Sequence, residues 1–528
     1  MNRRTPLLAA VLALLAVFTL NPGAQAVTYS AIAGTGSSWS YNIVRQWMSD
    51  VNANGITVDY TPNGSTQGRK DFANYTNDFA ISEIPYQGVD ESGQVDKSDR
   101  PYAYLPIVAG GTAFTYQLKI GNTMVRNLRL SGETLTKIFT NQITNWNDPQ
   151  IKKENGGRTF PNLAITPVVR ADGSGTTAQF TAWMADQYGS LWKAYSGRSG
   201  LTSFYPKKGR MLGAAGSDQV MNQIAASTGN GTIGYIEYSY PLNKTAADGK
   251  PFPVVKVLNK GGYYVEPTEY NVAVALTKAR IRTDLPQTDP MYLTQDLRGV
   301  YTFDDPRAYP ISSYSYMIIP VSGTDRTMTT AKRQALSDFL FYGLCSGQSK
   351  AGPYGYSPLP LNLVQAGFDQ VKRLATADPK VDLTNKDVRS CGNPTFDGKN
   401  PNRNVLAAKA PMPAACDKAT AAPCGTDTGT NTPSTDDKNA PTAGGASTAP
   451  AAGAAAPVAG AVDPETGAVA AAAGASSGEP VTAAATQLSS DRPGEKLPFA
   501  VVASGELIAL VAAPGLFAAY LRRRKGAL

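Results

Sequence analysis

Between residues 27 and about 375, short apolar runs alternate with segments of helical period, and no other feature constrains the fold as much. Apolar runs bounded by glycine, serine or proline predict strands at 28–33, 56–60, 78–82, 104–108, 164–169, 232–236 and 316–320. After Gly34-Thr35-Gly36-Ser37-Ser38, the residues Ile43, Val44, Trp47, Met48 and Val51 fall on one face of a first helix. Further helices are expected to open at Ser131, at Ser174 and near Ser217. Another runs through 333–344, with Leu336, Phe339, Leu340 and Leu344 at helical spacing. Strands separated by helices need crossover connections, so the pattern implies an α/β protein with largely parallel sheets. In such folds, glycine- and serine-rich turns after strands place ligand groups at helix N-termini.

The turn with most chemistry is Arg170-Ala171-Asp172-Gly173-Ser174-Gly175-Thr176-Thr177. It follows the apolar run 163–169 and precedes Phe180, Trp183, Met184 and Tyr188 on one helical face. Two glycines let the backbone approach closely, Ser174 and Thr176 bring hydroxyls, and a first helical turn brings unpaired N–H groups. Arg170 adds a rigid fork of positive charge. These parts suit a tetrahedral oxyanion. They equally suit a serine-capped helix with Arg170 and Asp172 as a surface ion pair, and on this stretch alone both readings stand.

Composition removes several function classes. The 528 residues contain no histidine, so no Ser-His-Asp triad, Cys-His dyad or histidine metal site can form. Lys and Arg total 49 against 41 Asp and Glu, a net charge of +8 spread along the chain, which is not the pattern of a nucleic-acid-binding arm. The four cysteines, Cys345, Cys391, Cys416 and Cys424, include no C-x-x-C pair. In an exported chain Cys345–Cys391 and Cys416–Cys424 are candidate disulfides, although spacing does not fix the pairing.

The two ends predict export and tethering. Residues 1–26 have a positive start (Arg3, Arg4), an apolar stretch over 7–20 and an Ala24-Gln25-Ala26 cleavage site, so the mature chain is expected to begin at Val27. Residues 376–424 read as a polar extension holding the last three cysteines. Residues 425–496 are rich in Ala, Gly, Thr, Ser and Pro, a composition expected to form a disordered stalk. Residues 497–520 are mostly apolar and lead into a basic tail, 521–528, with Arg522, Arg523, Arg524 and Lys525, the pattern of one transmembrane helix with its C-terminus inside. Glu506 interrupts it. The Leu497-Pro498-Phe499-Ala500-Val501 start is similar to a sortase signal, but Ala500 and Val501 stand where such signals need threonine and glycine, so a retained anchor is expected.

Three more stretches belong with the arginine loop: Gly34–Trp39 after the first strand, Asn63-Gly64-Ser65-Thr66-Gln67-Gly68 after the second, and Asp78-Phe79-Ala80-Ile81-Ser82-Glu83 ending the third. With Gln142-Ile143-Thr144-Asn145-Trp146-Asn147-Asp148, Thr232–Tyr238 and Tyr309-Pro310-Ile311, they follow the motif order of the phosphate-binding proteins of ABC transporters, the PstS family, which residues 28 to about 373 resemble. The family's Arg-x-Asp-Gly-Ser-Gly-Thr loop is matched in full by Arg170–Thr176.

The resemblance implies an α/β periplasmic-binding-protein type II fold. Its two mixed-sheet lobes (27–108 plus 268–375, and 109–267) are joined by crossing hinge strands and close on a dehydrated phosphate. It also implies a ligand set: Ser38, the backbone at Trp39, Ser65, Glu83, Arg170, Ser174, Gly175 and Thr176, with Asp172 steadying Arg170. A carboxylate in such a site accepts the proton that phosphate carries and sulfate lacks, the kind of contact that rejects an analogue by about four orders of magnitude. Two residues depart from the family pattern: Glu83 stands for its aspartate, one methylene longer, and Trp39 for its phenylalanine. The expected protein is a monomeric, membrane-anchored, cell-surface receptor that binds inorganic phosphate for ABC permease subunits, with no cofactor, metal or nucleic acid. The alternative is an adhesion or sensory protein reusing the fold, and a phosphatase is disfavoured by the missing histidine, metal cluster and P-loop.

Overall fold

The computed structural model describes residues 29–425 apart from 91, 92, 287, 288, 290, 389, 390 and 400–402. The expected signal (1–26), most of the expected stalk (425–496), the expected membrane span (497–520) and its tail (521–528) lie outside the described residues. Among the described residues, no helix is long and apolar enough to cross a membrane.

The main sheet contains β1 (Ile32–Gly36), β2 (Val58–Thr61), β3 (Phe79–Ser82), β4 (Tyr102–Gln117), β5 (Thr166–Arg170), β6 (Leu212–Ala214), β7 (Thr232–Glu237) and β8 (Ser312–Pro320). Their order is β6-β5-β7-β4-β8-β3-β1-β2. β1 runs parallel to β2 and β3, and β5 parallel to β6 and β7. These two parallel groups are joined by β4, whose first part pairs antiparallel with β8 and whose second part, from Thr112, pairs antiparallel with β7. Crossover helices follow four of the parallel strands: α1 (Tyr41–Asn52), α2 (Ser65–Ala73), α4 (Gly175–Gln187) and α5 (Gly216–Ala225); α3 (Gly132–Phe139) comes after the antiparallel β4. Two later helices, α6 (Thr330–Leu344) and α7 (Leu361–Ala377), pack on each other, α6 also against α1 and α7 against β4.

The predicted strands occur with shifted ends, and the shifts have packing causes. The glycines expected to form a turn after 28–33 lie inside β1. Gly34 is required there because a Cβ would sit 2.2 Å from the Phe79 ring of β3. The strand expected over 104–108 continues to Gln117 through Gly110 and Gly111, which pair with Ser313 and Ser312 of β8. Side chains at those two positions would meet the Trp39 ring and Pro267 Cβ, so glycine here answers close packing rather than a turn. The helix expected over 333–344 starts earlier because Thr329 caps it, its side chain accepting from the Lys332 N–H. Periodicity had not singled out α2 and α7: α2 is short, and α7 lies at the edge of the region expected to be folded.

The disulfides are Cys345–Cys391 and Cys416–Cys424. The second closes a short loop held to the main body: Lys256 pairs with Asp417 at 2.8 Å, and Arg129 donates to the Cys416 carbonyl at 3.0 Å. The bridges close loops of very different length, with sequence separations of 46 and 8. By loop-closure entropy, replacing the Cys345–Cys391 pair with serine is expected to lower the unfolding free energy by about 4 kcal/mol, against about 2.5 kcal/mol for the other pair. Urea unfolding of the two double variants measures the difference, and equal losses would contradict the entropic account.

Candidate functional site

The arginine loop leaves the end of β5 and enters α4. Ser174 is the N-cap, its Oγ accepting the Thr177 N–H at 3.2 Å. The loop is pinned from below: the Tyr235 hydroxyl of β7 accepts the Arg170 N–H at 3.1 Å and lies 2.7 Å from Thr177 Oγ1. Arg170 is buried and forks onto Asp172, with Nε donating to Oδ1 at 2.6 Å and Nη2 to Oδ2. Its remaining arm, Nη1, reaches Ser217 Oγ at 3.3 Å. Burial pushes the Asp172 carboxyl up, but the Arg170 charge, the hydrogen bonds from its guanidinium and the Gly216 N–H outweigh it and hold the carboxyl below the usual carboxylate range. The pair therefore stays fully charged near neutral pH, with the guanidinium fixed in direction.

Glu83, at the end of β3, forms the other side. Its carboxylate is buried among hydroxyls. Oε1 accepts from Ser37 Oγ and, at 2.9 Å, from Ser315 Oγ of β8; Oε2 accepts from Ser65 Oγ at 2.7 Å. Ser40 lies beside this group, its Oγ 2.8 Å from Ser315 Oγ and 3.5 Å from Glu83 Oε1. The Glu83 carbonyl is held as well, by the side-chain amides of Gln179 in α4 at 2.7 Å and Gln295 at 3.0 Å. Burying a carboxyl group is costly unless hydrogen-bond partners replace its lost water, and these hydroxyls do so.

The two sides touch. Thr66 N–H donates to the Gly173 carbonyl at 3.0 Å. Ser217, in the first turn of α5, donates its N–H to Ser38 Oγ at 3.1 Å, and the two hydroxyls are 3.0 Å apart. Gly64 has φ +94°, and a Cβ on it would lie 2.7 Å from Asp172 Oδ2. The closest approach is at Gly175, where a Cβ would lie 2.0 Å from Glu83 Oε2 and 2.7 Å from Ser65 Oγ. At Gly175 itself only hydrogen fits beside the carboxylate.

All eight residues expected to meet the ligand are buried around this junction. Ser65, Glu83, Gly175 and Arg170 with its partner Asp172 face one another across it. Ser38 joins through Ser217 rather than directly. The Trp39 N–H points to Ser37 Oγ at 3.1 Å, and its ring stacks edge-on against Tyr356. Thr176 Oγ1 is buried with no hydrogen-bond partner among the described residues. The Gly175 and Thr176 N–H groups, in the first turn of α4, have no intrahelical acceptor.

Sequence reading missed Ser37, Ser40, Ser217 and Ser315. Ser37 lies in a turn that had been singled out, but nothing local distinguishes it from Ser38. It also missed Glu237, a fully buried acid at the end of β7 beside Trp39 and Gly110. Burial pushes its carboxyl well above the usual range; the Ser239 N–H on Oε2 opposes that, and Oε1 has no hydrogen-bond partner among the described residues. An acid ending an otherwise apolar strand, Thr232–Glu237, was the signal available. Among the described residues, no group of three or more acids or cysteines is placed to hold a metal ion.

The junction thus combines one fixed guanidinium, a helix head, several hydroxyl donors and one carboxylate acceptor. Donors alone would suit any small anion; the acceptor suits an anion carrying a proton.

A family model for the PBP superfamily domain matches residues 21–343. The phosphate-binding protein PstS 2 of Mycobacterium tuberculosis is 32% identical over 311 residues, which cover 58% of this chain and 76% of that protein. The phosphate-binding protein PstS of Xylella fastidiosa is 29% identical over 349 residues, covering 66% of this chain and 86% of that one. Among solved structures, a phosphate-binding protein from Stenotrophomonas maltophilia aligns with a TM-score of 0.43 at 17% identity, covering 64% of this chain and 92% of that one.

Proposed function

We propose that this chain, which belongs to the PstS family of phosphate-binding proteins within the PBP superfamily, captures inorganic phosphate outside the cell and delivers it to an ABC permease. It is a binding protein and not an enzyme. The observation that carries the reading is the meeting of Glu83 with the head of α4 beside the Arg170 fork. The phosphate contacts are Ser38, the backbone at Trp39, Ser65, Glu83, Arg170, Ser174, Gly175 and Thr176. On binding, the anion takes over Ser38 and the Arg170 Nη1, both of which reach Ser217 in the structure. Thr176 gains the partner its hydroxyl lacks. Two lobes, 27–108 with 268–375 and 109–267, close on the anion by bending where β4 and β8 cross between them. The signal at 1–26, the polar stalk and the apolar 497–520 stretch with its basic tail support export and tethering in the plasma membrane. Tethering keeps the receptor at the cell surface, near its permease.

Calorimetric titration of the full chain with phosphate and with sulfate tests the reading; no phosphate binding, or equal affinity for the two anions, would end it. Glu83→Gln is expected to weaken phosphate binding and to cut the preference over sulfate by about two orders of magnitude, because an amide can donate to an unprotonated oxygen where the carboxylate cannot. An unchanged preference would mean that Glu83 does not sense the ligand's proton.

A further inference from the structure

Glu83 is one methylene longer than the aspartate of the family pattern, and a longer side chain reaches its target only if something fixes its end. The structure shows what does. Ser37 follows β1, Ser40 precedes α1, and Ser315 lies in β8, 232 residues beyond Glu83. All three are 1% exposed or less, and their hydroxyls form one cluster behind a single carboxylate oxygen. Ser37 and Ser315 donate to Oε1, and Ser40 Oγ is within 2.8 Å of Ser315 Oγ. Ser37 Oγ is itself aimed, since it accepts the Trp39 N–H at 3.1 Å.

A carboxylate offers about two lone-pair directions on each oxygen. Ser37 and Ser315 take those of Oε1, and Ser40 Oγ is a third, longer donor to the same oxygen at 3.5 Å. Oε2 takes one hydroxyl, from Ser65, and has no second donor among the described residues, which keeps one direction open. Oε2 is also the oxygen packed against Gly175. The backing serines thus leave one acceptor position on Glu83 and turn it toward the head of α4.

We propose that Ser37 and Ser315 are positioning residues for anion selection: by clamping Oε1 of Glu83 they present Oε2 to the proton of a protonated tetrahedral oxyanion such as hydrogenphosphate. The proposal rests on the phosphate-binding reading above. Neither serine touches the ligand. Without their hydroxyls the carboxylate can swing off the helix head, and the site keeps its donors while losing its one aimed acceptor. Phosphate then loses a contact that sulfate never had.

The test is calorimetric titration of the full chain and of Ser37→Ala/Ser315→Ala with inorganic phosphate and with sulfate. The double variant is expected to bind phosphate more weakly, with sulfate affinity little changed, so that the phosphate-to-sulfate ratio falls at least about tenfold. Ser37→Thr/Ser315→Thr, which keeps both hydroxyls, is expected to hold the ratio within about threefold of the parent, since the lost contact is one hydrogen bond and not packing. Should the double alanine chain fail to fold, Ser315→Ala alone is titrated, with the same direction expected. A parent ratio retained in the alanine variants, or an equal loss for both anions, overturns the positioning role. Failure of the parent itself to prefer phosphate overturns the phosphate reading instead, so the two failures are distinguishable.

Discussion

Gly175→Ala is expected to leave the chain folded and to remove most of its phosphate affinity. Gly175 is the first residue of α4 and has an ordinary negative φ, so alanine suits the backbone and the helix. The added methyl, however, would lie 2.0 Å from Glu83 Oε2, 2.7 Å from Ser65 Oγ and 2.9 Å from Glu83 Cβ. These atoms cannot give easily, because hydroxyl donors hold Glu83 at both oxygens and two amides hold its carbonyl. The expected cost is near the top of the overpacking range, about 3 kcal/mol, or about a hundredfold in affinity. It falls on the arrangement in which the two sides meet, and the variant escapes it by parting them, which costs the anion its enclosing contacts. Thermal unfolding without phosphate should change little, while calorimetry should show the loss. Parent-like affinity would mean that the helix head does not approach Glu83 when the anion is bound.

Arg170→Ala should have an effect at least as large, for a different reason. Arg170 is the fixed positive charge of the junction, and its side chain is 2% exposed. Removing it takes a charged donor from the anion and leaves the Asp172 carboxylate without its charged partner, held by backbone N–H groups such as that of Gly216. Truncating one partner of a buried, hydrogen-bonded charge pair with a ligand costs about 3–5 kcal/mol of binding. Phosphate affinity is expected to fall by about two to four orders of magnitude, since each 1.4 kcal/mol is tenfold. Some stability should be lost too, and Arg170→Ala/Asp172→Asn separates the effects. The double variant should recover most of the thermal stability, because the orphaned charge is gone, yet bind phosphate no better than the single. Recovery of binding would show that Arg170 serves the loop and not the ligand.

The roles of these residues were unequally legible. Arg170, Ser174 and Gly175 could be found from local order, because a strand-to-helix turn with a serine cap is a short-range structure: the cap bond spans Ser174 to Thr177. Glu83 could be found as an acid ending a strand. Apart from Ser65, its surroundings could not, since Ser37 and Ser315 come from distant parts of the chain. Gly110 and Gly111 look like a break in the sequence, yet they lie inside the longest strand, because glycine is also what a strand needs where another ring or backbone presses on it.

Local pattern and composition suffice for the alternation of strands and helices, the arginine loop, the absence of histidine chemistry and the family. Each rests on short-range periodicity, on hydrogen bonds between near neighbours or on composition. Tertiary structure alone decided that β4 runs through both strand groups, that Ser217 meets Ser38, and that three hydroxyls hold Glu83 against the single residue, Gly175, with no side chain to keep it away. Those contacts depend on the order of strands in the sheet and on which helix heads it brings together, and no local pattern encodes that order.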